Sequence, residues 1–207
     1  MSVDAAEEKV YIVDDDEAIR DSLAWLLKTR GLATETFASA EDFLEQCSPR
    51  HAGCLVLDIR MPGMSGLELQ EKLADAGCAL PVIFLTGHAD VPMAVAALKN
   101  GAFDFVEKPF NDNALVDLVI KGLARNARVR AERAEKATVA SRLSQLTARE
   151  REVMDLILAG KLNKVIADEL AISMRTVEVH RARVLEKMGV RSAVELAQLI
   201  ASQDPSR

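Results

Sequence analysis

Residues 54–66 read CLVLDIRMPGMSG: an unbroken apolar run, Cys54–Leu57, then Asp58, then a loop punctuated by Pro62 and Gly63. Nothing in the run alternates with polar residues, which is the pattern of a strand buried on both faces. Such a strand belongs to a parallel sheet with helices on either side. Ending it on a carboxylate admits two readings. Aspartate often starts a turn, its side chain satisfying nearby backbone N–H groups. It can also be a functional group held at the rim of the sheet, and the surrounding chain has to decide.

Outward from this stretch, short β-rich runs alternate with helical patterns. Strands are expected at Val10–Asp14, Ala33–Phe37, Cys54–Asp58, Pro81–Thr86 and Asp104–Lys108. Helices are expected near Glu17–Lys28, Ser39–Cys47, Gly66–Asp75, Val91–Asn100 and from Asp112 to about Leu123. Five β/α units with short connections predict an α/β fold, a parallel sheet covered by helices on both faces. Beyond Leu123 the strand signals stop. The stretch ARNARVRAERAEKATVASRLSQ is rich in charge and helix formers and has no Gly or Pro, so it reads as a helical linker, with a flexible one as the alternative. From Thr147 the pattern is all-helical. TARE is a capping box, Thr147 at the N-cap and Glu150 three residues on; Gly160 is a C-terminal stop, and Ser173 caps a later helix.

The chain has 207 residues, 49% hydrophobic and 28% charged, an ordinary globular composition with room for two small domains. The net charge of −6 is unevenly spread: residues 1–121 carry 10 basic and 21 acidic side chains, residues 142–207 carry 11 and 9. No apolar run approaches a bilayer span, and the N-terminus MSVDAAEEKV is acidic where a secretory signal would be basic and then apolar. A cytoplasmic protein without a membrane partner is expected. Cys47, Cys54 and Cys78 lack C-x-x-C spacing, suggest neither a disulfide framework nor a zinc site, and are read as buried thiols.

Ligands of doubly wound sheets bind beyond the carboxyl ends of the strands. Asp14 and Asp15 fall at the first such end, Asp58 at the third, Thr86 at the fourth and Lys108 at the fifth. Three carboxylates on one rim repel one another and call for a cation, and an all-oxygen set suits Mg²⁺. A lysine there can pair with a phosphoryl oxygen, and a threonine hydroxyl can donate to one. Together they describe a site where Asp58 acts as nucleophile and forms an aspartyl phosphate. Arg60 and His88, two residues beyond Asp58 and Thr86, flank that position or are simply solvated loop residues.

The motifs VYIVDDDE, LVLDIRMPGMSGLEL, FLTGHAD and DFVEKPF follow in the order and spacing of a response-regulator receiver domain, which residues 8–125 resemble along their whole length. The resemblance implies a flavodoxin-like (βα)5 fold with strand order 2-1-3-4-5. It implies Asp58 as phospho-acceptor, with Mg²⁺ held by Asp15, Asp58 and the Arg60 carbonyl and by Asp14 partly through water. Lys108 becomes the phosphate-pairing residue, Lys108–Pro109 a cis peptide, and Thr86 with Phe105 the switch pair.

In SMRTVEVHRARVLEKM, Val177, Val184, Leu185 and Met188 share one helical face, while Arg175, Val179, Ala182, Arg183 and Glu186 lie opposite. A short helix, a tight turn and a helix with Arg and small side chains outward is the layout of a helix-turn-helix reader. A helix with ordinary surface charges is the alternative. Residues 146–201 resemble a LuxR-type four-helix DNA-binding domain, and the whole chain resembles response regulators of the FixJ type. This implies Lys164, Thr176 and His180 near phosphates and Arg175, Glu178, Val179 and Arg183 near bases. It also implies a last helix, Ser192–Ala201, that joins two such domains in a dimer.

The expected organisation is a receiver domain over 8–125, a helical linker over 126–143 and an all-α helix-turn-helix domain over 144–203. The expected function is a two-component regulator and not an enzyme. A sensor histidine kinase would donate to Asp58, phosphorylation would promote a homodimer on promoter DNA, and RNA polymerase is a further candidate partner. Two rivals stand beside it: a signalling module whose helical domain binds protein, and an Mg²⁺-dependent phosphatase working through an aspartyl phosphate.

Overall fold

The computed structural model describes residues 8–48, 51–87 and 91–202. The chain divides between Arg130 and Ala131 into two compact units. In the first, β1 (Lys9–Val13), α1 (Glu17–Thr29), β2 (Thr34–Phe37), α2 (Ala40–Gln46), β3 (Gly53–Asp58), α3 (Gly66–Asp75), β4 (Val82–Thr86), α4 (Val91–Lys99) and β5 (Asp104–Glu107) alternate as expected. All strand pairs are parallel, and the order across the sheet is β2-β1-β3-β4-β5. Two strands end a residue earlier than the sequence pattern suggested, so Asp14 and Lys108 sit just past the ends of β1 and β5 and not within them.

The continuous apolar run in β3 is explained by two separate cores. Leu55 and Leu57 face a cluster with Tyr11, Val13, Phe84, Phe43, Leu69 and Leu73, under α2, α3 and α4. Cys54 and Val56 face the other side, with Val10, Ile12, Leu23, Leu27, Leu115 and Val119, under α1 and the following helix, α5 (Asp112–Ser144). Alternate side chains enter opposite cores, so both registers of the strand must be apolar. Side-chain caps fix where helices begin: Asp16 accepts from Ala18 N, Ser39 from Asp42 N, and Ser65 with Glu68 forms a capping box.

α5 continues 21 residues past the expected stop at Leu123, because no Gly or Pro interrupts the run of helix formers. Within this helix, buried Asn126 accepts from Gly53 N at 3.1 Å and donates to Ala79 O at 3.1 Å, pinning the helix to β3 and to the turn before β4.

The second unit holds α6 (Ala148–Leu158), α7 (Asn163–Glu169), α8 (Met174–Met188) and α9 (Ala193–Ala201) around a core of Val153, Ile166, Val177, Val184, Met188 and Leu196. The Thr147–Glu150 capping box is present, and Ser173 and Ser192 cap α8 and α9. Ser192, expected as the first residue of the last helix, is its cap. Gly160 has φ 74° just past α6, and Gly189 has φ 67° at the end of α8, the left-handed geometry that closes a helix most easily with glycine.

The cysteines depart from expectation. Cys54 is buried, but Cys47 and Cys78 are partly exposed, and their sulfurs lie 3.2 Å apart. Contacts between residues 31 positions apart are set by how α2 and α3 pack, which spacing alone does not reveal. Among the described residues no helix is long and apolar enough to cross a membrane.

Candidate functional site

Parallel strands put all their carboxyl ends on one edge of the sheet, so residues far apart in sequence meet there. The Lys108 ammonium donates to Asp58 Oδ1 at 2.8 Å and to Asp14 Oδ2 at 2.9 Å. Asp58 Oδ2 accepts from Arg60 N at 3.1 Å, and Asp14 Oδ1 from Asp16 N at 3.0 Å. Asp14 and Asp58 are buried and Asp15 is exposed. Thr86 is fully buried at the end of the neighbouring strand, its hydroxyl donating to Gly87 O at 3.0 Å. The Lys108–Pro109 bond is cis.

Burial pushes the Asp58 carboxyl up, and the Asp14 charge adds to this; the Lys108 ammonium and the Arg60 N–H pull the other way without cancelling it. Burial alone would pull Lys108 down, but its hydrogen bonds to Asp14 and Asp58 outweigh it and the net direction is up. The two partners therefore respond differently to one contact. Lys108 has two carboxylates to itself, whereas Asp58 shares one ammonium with a second acid. The rim thus retains excess negative charge.

That excess, with oxygen-only donors, fits a hard cation such as Mg²⁺. Among the described residues no three acidic, His or Cys side chains are gathered into a ready-made metal cluster. A site here would draw on two carboxylates, a backbone carbonyl and water, a common arrangement for Mg²⁺.

Two neighbours were not legible in the sequence. Arg20 donates to the Asp14 carbonyl at 2.7 Å, and Glu41 on α2 accepts from Met64 N at 2.8 Å, holding the loop that follows Asp58. No local motif marks either residue. Gly66 is a third: a Cβ there would lie 2.2 Å from the Asp58 carbonyl oxygen, so α3 starts hard against the end of β3. His88 lies outside the described residues.

Phe105 pairs in register with Phe84 and packs against the α2–α4 side of the core, and Thr86 is two residues beyond Phe84 on the same face. The expected switch pair therefore shares one side of the sheet.

In the second unit, α8 buries Val177, Val184 and Met188 and exposes Arg175, Glu178, Val179, Ala182 and Arg183, the pattern expected of an outward-reading helix. Val179, an apolar side chain 44% exposed in this stripe, is available for contact. Lys164 is exposed on α7. Thr176 is partly engaged: its hydroxyl lies 2.7 Å from that of Ser173, the α8 cap. His180 is half-buried, with a buried Nδ1 that has no hydrogen-bond partner. The unit is clamped by Glu150, 2% exposed, which accepts from Lys187 Nζ at 2.6 Å and from Thr147 N at 2.9 Å. Lys187 and the capping contacts hold its carboxyl down at about 2.

Comparison with known proteins gives both units a family. Residues 10–120 match the response regulator receiver domain, and residues 144–200 match the bacterial regulatory proteins of the luxR family. The C4-dicarboxylate transport transcriptional regulatory protein DctR of Rhodobacter capsulatus is 54% identical over 92% of this chain and 98% of its own. The transcriptional regulatory protein FixJ of Azorhizobium caulinodans is 46% identical over 92% of this chain and 90% of its own. The solved structure of the response regulator StyR is 45% identical, with a TM-score of 0.90 over 95% of this chain and 99% of that one. Matches that run through both units leave no place for the phosphatase or for a helical module that binds only protein. The chain belongs to the response regulators of the FixJ type, non-enzymatic transcriptional regulators in which a receiver domain is followed by a LuxR-type DNA-binding domain.

Proposed function

We propose that Asp58 accepts a phosphoryl group from a phosphohistidine of a sensor kinase, and that this controls a promoter-binding homodimer. The observation that carries the reading is the Lys108 ammonium bridging Asp58 and Asp14 at 2.8 and 2.9 Å on the rim of the sheet. An acceptor carboxylate needs a cation beside it to draw in a phosphoryl oxygen, and Lys108 is already there. Asp15, Asp58 and the Arg60 carbonyl would hold Mg²⁺, with Asp14 acting partly through water. Bound there, the ion supplies charge that offsets that of the phosphoryl group.

Asp58 then attacks as the nucleophile, and Lys108 exchanges a carboxylate partner for a phosphoryl oxygen. Thr86 turns its hydroxyl from Gly87 O toward the new acceptor. The space it leaves admits Phe105, reshaping the surface of α4, β5 and α5 and promoting a dimer of receivers. The receiver domain spans 8–125, the linker 126–143 and the DNA-binding domain 144–203.

On DNA, Lys164, Thr176 and His180 face phosphates, while Arg175, Glu178, Val179 and Arg183 face bases. Glu178 serves by accepting from a cytosine or by holding an arginine. A C-terminal region of only modest positive charge binds weakly alone, so dimerisation through α9 adds the missing effective concentration. The protein works in the cytoplasm, where RNA polymerase is the further partner.

Labelling with a small phosphodonor in Mg²⁺, followed by sedimentation and a gel shift, tests the reading. Wild-type protein takes up label, becomes dimeric and binds its promoter at lower concentration; Asp58→Asn does none of these. Stable label on Asp58→Asn places the acceptor elsewhere. Labelled protein that stays monomeric while bound to DNA removes the dimer.

A further inference from the structure

Cys47 caps the C-terminus of α2, and Cys78 follows the end of α3 in the turn toward β4. Their sulfurs lie 3.2 Å apart. Both thiols are partly exposed, and Cys78 also lines a cavity of about 580 Å³ bounded by Ala74, Pro81 and Met93. A disulfide needs its sulfurs at ~2.05 Å, about 1.2 Å closer than they stand. Both residues lie at helix ends or in turns, outside the strand ladder, where so small an approach is easily made.

We propose that Cys47 and Cys78 form a modification site: a dithiol that a low-molecular-weight disulfide, of the glutathione type, oxidises to an intramolecular bridge between α2 and α3. Cys78, reached through the cavity, attacks one sulfur of the small disulfide as its thiolate. The small S–S bond breaks, one thiolate leaves and takes up a proton, and Cys78 carries a mixed disulfide. Cys47 then releases its proton and attacks the Cys78 sulfur. The mixed bond breaks, a second small thiol departs, and the Cys47–Cys78 bond forms. Two protein thiols are oxidised, one small disulfide is reduced to two thiols, and the two protons released are taken up by the leaving groups.

The three cysteines divide their roles by environment. Cys54 is fully buried, its thiol donating to Pro81 O at 3.4 Å, and burial pushes it up to about 12. It takes no part, since the thiolate is the reactive form. The contact with Cys78, and then burial, push the Cys47 thiol up as well, so little thiolate is present at this pair. Bridging therefore follows sustained oxidation and not a brief pulse. In reducing compartments disulfides are rare, and those that do form are usually transient and redox-linked.

The full-length protein, equilibrated in buffers of reduced and oxidised glutathione, is denatured, alkylated and mapped by mass spectrometry. Three alkylated cysteines are expected in the reducing buffer and one, Cys54, in the oxidising buffer, with the Cys47 and Cys78 peptides linked. The receiver's melting midpoint should rise by about 10 °C on oxidation, as a bridge closing a loop of this size does. Cys47→Ser and Cys78→Ser should remove that rise. Three alkylated cysteines at every ratio overturn the proposal. So do glutathione retained on Cys78 beside an unlinked Cys47, a bridge to Cys54, and a bridge between two chains. The wild-type map decides these outcomes even if a serine variant fails to fold.

Discussion

Gly66 meets the Asp58 carbonyl so closely that a methyl group in place of its hydrogen would lie 2.2 Å from the oxygen and 3.1 Å from Leu57 Cγ. The first turn of α3 is thus seated directly on the end of the strand that carries the acceptor. Gly66→Ala must push the two apart, and overpacking of this kind costs ~1–3 kcal/mol. Chemical denaturation of the receiver should show that loss, and phosphoryl uptake should slow because the loop after Asp58 shifts. A variant with an unchanged midpoint and rate would mean that α3 moves aside freely.

Asp58→Asn should leave the receiver at least as stable as wild type at neutral pH. The Asp58 carboxyl is raised, so the folded state disfavours its ionised form. A raised carboxyl contributes stability below its unfolded value, ~3.9, and that contribution is lost as pH rises through the folded value. At pH 7 the charged side chain therefore weighs against folding. Asparagine removes that charge, while Lys108 keeps Asp14. Denaturation midpoints from pH 4 to 8 should diverge in favour of Asp58→Asn as pH rises. The opposite divergence would mean that the Lys108 contact dominates the site.

Glu150 titrates with the other sign. Its carboxyl is depressed to about 2 by Lys187 and the capping contacts. Its contribution is present above the unfolded value of ~4.3 and lost as pH falls toward 2. Thermal scans of the full chain should show the C-terminal transition weakening over that window, and Glu150→Gln should flatten it. Glu150→Ala at pH 7 leaves Lys187 and the Thr147 N–H without their acceptor, a loss of ~1–3 kcal/mol. A C-terminal transition indifferent to both substitutions would remove the clamp.

Arg183 and Lys164 should separate base reading from phosphate contact. Arg183→Ala should lose ~1–3 kcal/mol at the specific site and relax base preference there. Lys164→Ala should weaken specific and random DNA alike and reduce the salt slope by about one contact. Equal losses on both DNAs for both variants would end this division.

What the sequence determined by itself was whatever local physics records. Apolar runs marked the strands, and Thr147 and Ser173 announced helix starts because a side chain bonds a backbone N–H three residues on. The outward stripe from Arg175 to Arg183 followed from helical periodicity, and the acidic rim followed once the strands were known to be parallel. Other features waited for the tertiary structure. Lys108 reaches Asp14 across 94 residues and Asp58 across 50. Glu150 meets Lys187 across 37, and Cys47 meets Cys78 across 31. Such contacts leave no local trace, because the partners are chosen by which helices pack together and not by spacing along the chain. The directions in which Asp58 and Lys108 are pushed belong here too. They depend on burial and on how two carboxylates share one ammonium, and both of those exist only once the sheet has formed.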